Sequence, residues 1–385
     1  MTPDQPTTPK PFRRWYQYSL RTLLIFVTLF AVACSWFAVK LQQARRQREA
    51  VEAIRKAGGL VTYDYQIDAS GSSKSGAEPP VPAWLRKILG DDFFFKVALA
   101  QPTNDASMLI LKDLSGIRQL NIVNSHVTDA GLEHLKGLTQ LQGLYLSGNQ
   151  VTDAGLKHLK SLTQLHRLYL FGPKVTDAGL ENLKGLTQLQ VLGLGFNVTD
   201  AGVEHFKDLT QLNELYLKGS NVTDAGLEHL IELPPLQRLV LVDTEVKDAG
   251  LEHLKRLPQL KELYLRGTKV TDAGLEYLKG MTQLQKLELM GSKVTDAGLE
   301  HLKGLTQLQR LDLNDTNVTD TGLKHLKRLP QLKELFLRGT KVTDAGLDYL
   351  KGLTNLRVLY LGNTNVTDEG VKKLEQAIPN CKIEH

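Results

Sequence analysis

Histidine, aspartate and tyrosine recur in this sequence at a spacing regular enough to do chemistry. His134, His158, His205, His229, His253, His301 and His325 form one column. A metal could use it only if rings of successive turns met on one ion. Packed helices lie about 8–10 Å apart, which is too far, and Asn182, Tyr277 and Tyr349 fill the same position elsewhere. A solvated helix face is expected, with no metal. The recurring aspartate, as in Asp129, lacks the alternating ligand spacing of a calcium loop. It follows Thr128, a natural N-cap, and suits the positive end of a short helix. No phosphate loop, dinucleotide fingerprint, GxSxG elbow or HExxH pair occurs, and Gly193-Leu194-Gly195 lacks the rest of a nucleotide motif. The sequence therefore predicts a non-enzyme with no cofactor and no small-molecule substrate. Cys34 and Cys381 are the two cysteines, too few for a disulfide framework or a cysteine-based zinc site. Asn-Val-Thr triplets at Asn197, Asn221, Asn317 and Asn365 match a glycosylation acceptor, but they arise wherever the repeat puts Asn before Val-Thr.

The elements that hold these columns follow from periodicity. The phrase VTDAGL or a close variant begins at Val127, Val151, Val175, Val198, Val222, Val246, Val270, Val294, Val318 and Val342. The interval is 24 residues, except for a 23-residue unit at 175–197. In the first unit Leu144 and Leu146 alternate with Gly143, Tyr145 and Ser147, as in a strand with one buried face. Leu132, Leu135 and Leu138 then recur at helical spacing. Gly131 has no side chain, so neighbouring turns can approach there. Such a unit cannot bury its own leucines, and stacking must supply the core.

The pattern LxxLxxLxLxxNxVTDAGLxxLxxL resembles the leucine-rich-repeat family in its helix-containing, ribonuclease-inhibitor-like form. Bacterial repeat proteins and the repeat regions of F-box proteins are similar. The resemblance covers roughly residues 94–385. The asparagine of the turn appears as Asn149 but is Ser220, Thr244, Thr268, Ser292, Thr316, Thr340 or Thr364 elsewhere. The resemblance implies an α/β solenoid, a horseshoe with a concave parallel sheet and convex helices.

Outward strand positions of that sheet form three columns. The first contains Arg167, Glu214, Arg238, Glu262 and Arg310. The middle one contains Tyr145, Tyr169, Tyr216, Tyr264, Glu288, Asp312, Phe336 and Tyr360. The third contains Phe171, Lys218, Arg266 and Arg338. Tyr and Arg carry much of the energy of protein interfaces, so these residues are the expected binding face for a protein ligand. Opposite charges on neighbouring strands, such as Glu214 and Arg238, also stabilise the sheet by themselves. Lateral assembly as a structural envelope protein is an alternative role, and an F-box-like ubiquitin-ligase adaptor is another.

Residues 1–56 hold ten Lys/Arg and three Asp/Glu, and the rest of the chain is slightly acidic. The basic excess flanks an apolar run and forms no stripe on the repeats, which argues against nucleic acid. Thr22 to Val39 are eighteen residues without a charge, at the lower limit for a bilayer span. Arg13, Arg14 and Arg21 precede it, and Lys40, Arg45, Arg46 and Arg48 follow, with Trp15, Tyr16, Tyr18 and Trp36 as interfacial aromatics. A cleaved signal peptide or a lipidated Cys34 fits the Ala31-Val32-Ala33 step, but Trp36, Phe37 and Val39 continue the apolar run beyond it. The expected organisation is a basic tail (1–21), a single transmembrane helix (22–39), a juxtamembrane helix (40–57), an N-terminal cap that includes a degenerate repeat (58–126), ten repeats (127–365) and a C-terminal cap (366–385). Within the cap, a strand over 60–67, a loop over 70–82, a helix over 83–89 and a strand over 94–100 are expected. Positive charge is nearly balanced across the span, so the side of the membrane that carries the repeats is left open.

Overall fold

The computed structural model describes residues 20–68, 73–74, 76–233 and 236–385. Most of the basic tail, with Trp15, Tyr16 and Tyr18, and part of the loop over 70–82 lie outside the described residues.

One sheet runs the length of the repeats. Its first two strands, β1 (Leu60–Tyr63) and β2 (Val97–Gln101), pair antiparallel. Parallel strands follow in chain order: β3 (Gln119–Val123), β4 (Gly143–Ser147), β5 (Arg167–Phe171) and β6 (Val191–Leu194). Next come β7 (Glu214–Tyr216), β8 (Arg238–Val240), β9 (Glu262–Tyr264) and β10 (Lys286–Glu288). The series ends with β11 (Arg310–Asp312), β12 (Glu334–Phe336), β13 (Val358–Tyr360) and β14 (Lys382–Glu384). The cap strands thus extend the repeat sheet, although β1 stops at Tyr63, where a 3-10 turn begins.

Every unit buries the same positions. Val127, Leu132, Leu135, Leu141, Leu144 and Leu146 are all essentially inaccessible, as are their equivalents down the stack. A fully buried leucine contributes about 1.5–3 kcal/mol relative to exposure, and the stack repeats that gain in each unit. The return path is one short α-helical turn followed by 3-10 helix, as in Asp129–Glu133 and His134–Gly137.

The aspartate of each helical turn ties its unit to the next. Asp129 accepts the Thr152 backbone N–H at 2.8 Å through Oδ1 and the Thr152 hydroxyl at 2.6 Å through Oδ2. The same pair recurs from Asp105–Thr128 at the cap to Asp344–Thr367 at the far end. The threonine hydroxyl donates to this aspartate and, in most units, also accepts the N–H two residues on, as Thr152 does from Ala154. It caps a helix and links two units with one atom. The glycine of VTDAGL is required by that link. A Cβ on Gly155 or Gly298 would lie 2.3 or 2.4 Å from Oδ1 of the preceding unit's aspartate.

The turn after most strands holds one residue in the left-handed region. Gly148, Gly219, Gly267, Gly291 and Gly339 occupy it, and Asn124, Asp243, Asp315 and Asn363 replace them elsewhere. These are the residue types that tolerate that conformation. The buried residue that follows finds a partner within the stack in most units, the Ser292 hydroxyl being left without one. Asn149 donates to the Ile122 carbonyl of the preceding unit. Thr244, Thr268, Thr316 and Thr340 instead donate to a carbonyl three residues back in their own unit.

At the N-terminus, α1 (Leu20–Lys56) is one continuous helix of 37 residues, with no break between the apolar run and the basic segment. It is long and apolar enough to cross a membrane, and the most apolar window is wholly uncovered. Its last turns bury Ala44, Gln47, Ala50, Val51 and Ile54 against the cap. The helix α2 (Ala83–Leu89) occupies its expected residues, and a further turn, α3 (Asp91–Phe94), precedes β2.

One junction lacks the hydroxyl half of the link, because Lys247 stands where other units have threonine and only its N–H reaches Asp224, at 2.7 Å. Lys247→Thr should raise stability by about 1 kcal/mol. Gly298→Ala should lower it by on the order of 3 kcal/mol by displacing the Asp272 carboxylate. Urea midpoints of the detergent-solubilised chain test both. Unchanged midpoints would show that the link contributes nothing to stability.

Candidate protein-binding face

In-register stacking places equivalent outward residues of successive strands about 4.8 Å apart. Side chains far apart in sequence thereby become neighbours along a column. Tyr145 and Tyr169 stack with ring centroids 4.9 Å apart and planes 11° off parallel. The next position down is Gly193, where a Cβ would come within 2.5 Å of the Tyr169 ring and 2.8 Å of Phe171. The missing side chain lets Tyr169 lean across and meet both Phe171 and Tyr216 at 5.8 Å. Burial among these rings raises the Tyr169 and Tyr216 hydroxyls above the ordinary tyrosine value.

Below the rings, charges alternate from strand to strand. Arg238 reaches Glu214 at 2.8 Å on one side and Glu262 at 2.6 Å on the other. The Tyr216 hydroxyl donates to Glu214 at 2.7 Å, and the Tyr264 hydroxyl donates to Glu262 at 2.9 Å. Lys286 completes the run at 3.1 Å from Glu262. Burial alone would raise the Glu262 carboxyl, but hydrogen bonds from Arg238, Lys286 and Tyr264 outweigh it and hold it at about 2. The hydrogen bond to Glu262 chiefly raises Arg238 in turn. Farther along, Arg310 pairs with Glu334 at 2.6 Å and covers the Phe336 ring at 4.2 Å, and Phe336 stacks on Tyr360 at 4.8 Å.

The structure brings these residues onto one face. Arg167, Tyr169, Phe171, Glu214, Tyr216, Arg238, Glu262, Tyr264, Glu288, Arg310, Phe336 and Tyr360 are half-buried there, as is Tyr145. Lys218, Arg266 and Arg338 are exposed on the turns just past their strands. Asp312 is a correction: it is only 6% exposed, and its Oδ1 accepts the Asn314 N–H at 3.0 Å, so it braces the turn rather than offering contact area. It lies beside Glu288 in the ladder, and both carboxyls are raised chiefly by burial, Glu288 also by Asp312.

The histidine column is less solvated than expected. His158 is 9% exposed, and the Nδ1 atoms of His158 and His301 make no hydrogen bond. Burial lowers His158 and His325 from the ordinary histidine value. Among the described residues no group of three His, Cys, Asp or Glu is placed to hold a metal. Two features escaped sequence reasoning. One is a polar cleft of about 610 Å3 between the cap and the first strands, lined by Lys96, Arg118, Gln142 and His166 among others. It depends on how an aperiodic cap packs. The other is Phe196, 62% exposed and lying over Gly219, at the end of the 23-residue unit. Its signal was the missing residue.

These shifts predict opposite pH responses. Glu262 is depressed, so its contribution is present above the unfolded carboxyl value of about 4.3 and lost as pH falls towards about 2. Glu262→Gln should therefore lower Tm at pH 7 and cost progressively less on acidification. Glu288 and Asp312 are raised, so their charged forms oppose folding at neutral pH. Glu288→Gln with Asp312→Asn should raise Tm at pH 7, with the gain fading as pH falls through the carboxyl range. Melting curves between pH 3 and about pH 8 check both, and equal slopes for the two variants would refute the assignment.

Family models described as "Leucine rich repeat" match residues 258–318, 282–342 and 138–160, and one described as "Leucine Rich repeats (2 copies)" matches 330–373. No curated protein matches the sequence. Among solved structures, an internalin from Listeria monocytogenes is similar, with a TM-score of 0.56 and 22% identity over 78% of this chain and 92% of its own. The mouse RP105/MD-1 complex is similar with a TM-score of 0.53 and 20% identity, over 74% of this chain and 53% of that one. At these identities the likeness is one of fold. The chain carries leucine-rich repeats, and its fold is that of a leucine-rich-repeat solenoid.

Proposed function

We propose that the chain is a membrane-anchored recognition module that binds a protein partner on the outward face of its sheet. The observation that carries this reading is the row of half-exposed rings from Tyr145 to Tyr264, interleaved with the Glu214–Arg238–Glu262 ion pairs. Tyrosine and arginine combine large contact area with a polar handle. Here their mutual hydrogen bonds already restrict the rotamers, which lowers the entropy lost on association. A partner that displaces little of this network binds a surface already set. The similar chain of the mouse RP105/MD-1 complex was solved within a protein complex, which supports protein recognition by this architecture. Anchoring is supported by the uncovered apolar length of α1 and by the basic residues that follow it. Its unbroken passage into the cap would hold the solenoid at a set distance from the bilayer.

Photo-crosslinking from the sheet face in the native membrane, followed by a pull-down with the full chain, tests this. Tyr216→Ala with Tyr264→Ala should weaken the captured partner by about 30-fold or more while leaving the chain folded, with a urea midpoint lowered by the lost hydrogen bonds to Glu214 and Glu262. Retained binding would move the interface elsewhere, and unaltered lateral assembly would favour a structural role. A Ser73→Cys probe in a Cys381→Ser background, labelled with an impermeant maleimide in intact cells, assigns the side. Labelling without permeabilisation puts the repeats outside, and labelling only after permeabilisation puts them in the cytoplasm.

A further inference from the structure

We propose that the cleft between α1 and α3 is a binding site for the phosphate headgroup of an anionic membrane lipid, an inference that rests on reading α1 as the membrane anchor. The place argues first. The charge-free run ends at Val39, and everything from Leu20 to Val39 is exposed apart from its contact with the cap. That contact is Phe37 against Phe93 of α3, with ring centroids 5.5 Å apart. The cap therefore touches α1 where the apolar surface gives way to Lys40, the level at which a bilayer presents its phosphates.

At that level lies a cavity of about 320 Å3. Four cations line it, and they come from three separate parts of the chain: Lys40 and Arg46 from α1, Lys96 from the residue before β2, and Lys112 from the 3-10 turn Ile110–Asp113. None of the four makes an ion pair or a side-chain hydrogen bond among the described residues. The acids nearby are mostly engaged. Asp92 accepts from Gln47 at 3.1 Å and from the Tyr63 hydroxyl at 3.0 Å, with Arg48 at 3.7 Å. Asp64 accepts the backbone N–H groups of Tyr65 and Lys96. Asp113 is the one lining carboxylate without such a partner. Four cations against three carboxylates leave the lining with a net charge of +1, and none of the four cations is paired with those acids.

The chemistry selects the ligand. A phosphodiester takes several donors at once, an arginine fork beside lysine point charges suits it, and desolvation by Phe93 and Phe94 strengthens each contact. A lipid adds what a soluble phosphate lacks, since its acyl chains can lie along the uncovered flank of α1 near Trp36 and Phe37. Cations that only answer the surface potential of a membrane cluster on the anchoring helix itself. Lys96 and Lys112 belong to the solenoid, and they line the same cavity as Lys40.

Native mass spectrometry of the full chain released from mixed phosphatidylcholine–phosphatidylglycerol micelles tests this, with flotation on phosphatidylcholine liposomes run beside it. The proposal expects one phosphatidylglycerol retained in preference to phosphatidylcholine. It expects Lys96→Ala with Lys112→Ala to weaken that retention by about 25-fold, about fivefold for each cation, with an unchanged urea midpoint. Lys40→Ala with Arg46→Ala should do the same. Retention insensitive to Lys96 and Lys112 would reduce the effect to ordinary juxtamembrane attraction and overturn the site while the anchor stands. Inorganic phosphate binding the lipid-free chain as tightly as phosphatidylglycerol does would overturn the lipid assignment. A chain that fails to float with liposomes would overturn the anchor itself and the proposal with it.

Discussion

The aspartate–threonine link between consecutive units is the constraint on which the rest of this structure depends. A short unit of leucines has no core of its own, so each must be held against the next in one register. Leucine contacts alone specify that register loosely, because apolar surfaces tolerate sliding. A carboxylate that accepts one backbone N–H and one hydroxyl of the following unit does not. The 23-residue unit shows the constraint at work. Asp177 still meets Thr199 at 2.8 and 2.6 Å although one residue has been lost between them. The deletion is absorbed in the turn after β6, where Leu194 and Val198 are four residues apart instead of the five between Leu146 and Val151, and the link is kept.

Register then determines the sheet face. Because the repeat strands pair in parallel, each with its neighbour, a residue type repeated in the sequence becomes a stack in space, and alternating charge becomes a chain of ion pairs. The tyrosine stack and the Glu214–Arg238–Glu262 run are the same geometrical consequence written in two chemistries. Gly193 acts as a gap in the column that neighbouring rings close. The same stacking that orders the face also hides part of it. Asp312, on an outward position by alternation, is covered by its neighbours and turned into a local brace.

At the N-terminal end the constraint changes character. No repeat precedes the first unit, so its apolar flank is closed by α1 and the cap, with Ala50, Val51 and Ile54 joining the common core. Asp105 still supplies the link to Thr128, so the cap imitates a unit at the one junction that matters. The end of α1 that completes the solenoid is continuous with the end that is long and apolar enough to enter a bilayer.

The sequence alone determined the architecture. Leucines at fixed intervals, threonine before aspartate and glycine after it specify strand, cap and helical turn by local rules, and ten in-frame copies leave no other way to bury the leucines. It also identified the outward columns, since alternation along a strand is local. Tertiary structure decided what lies between units. The recurring aspartate has a sufficient local explanation as a first-turn residue, so nothing in the sequence revealed that its carboxylate bonds a partner some 23 residues ahead. The burial of His158, the covering of Asp312 and the leaning of Tyr169 over Gly193 likewise depend on the distance between stacked units. So does the meeting of Lys40 and Arg46 with Lys96 and Lys112, because residues without a shared period converge only when the cap folds back on α1. Periodic information is local and survives in one dimension, whereas contacts between units and across the aperiodic cap exist only in three.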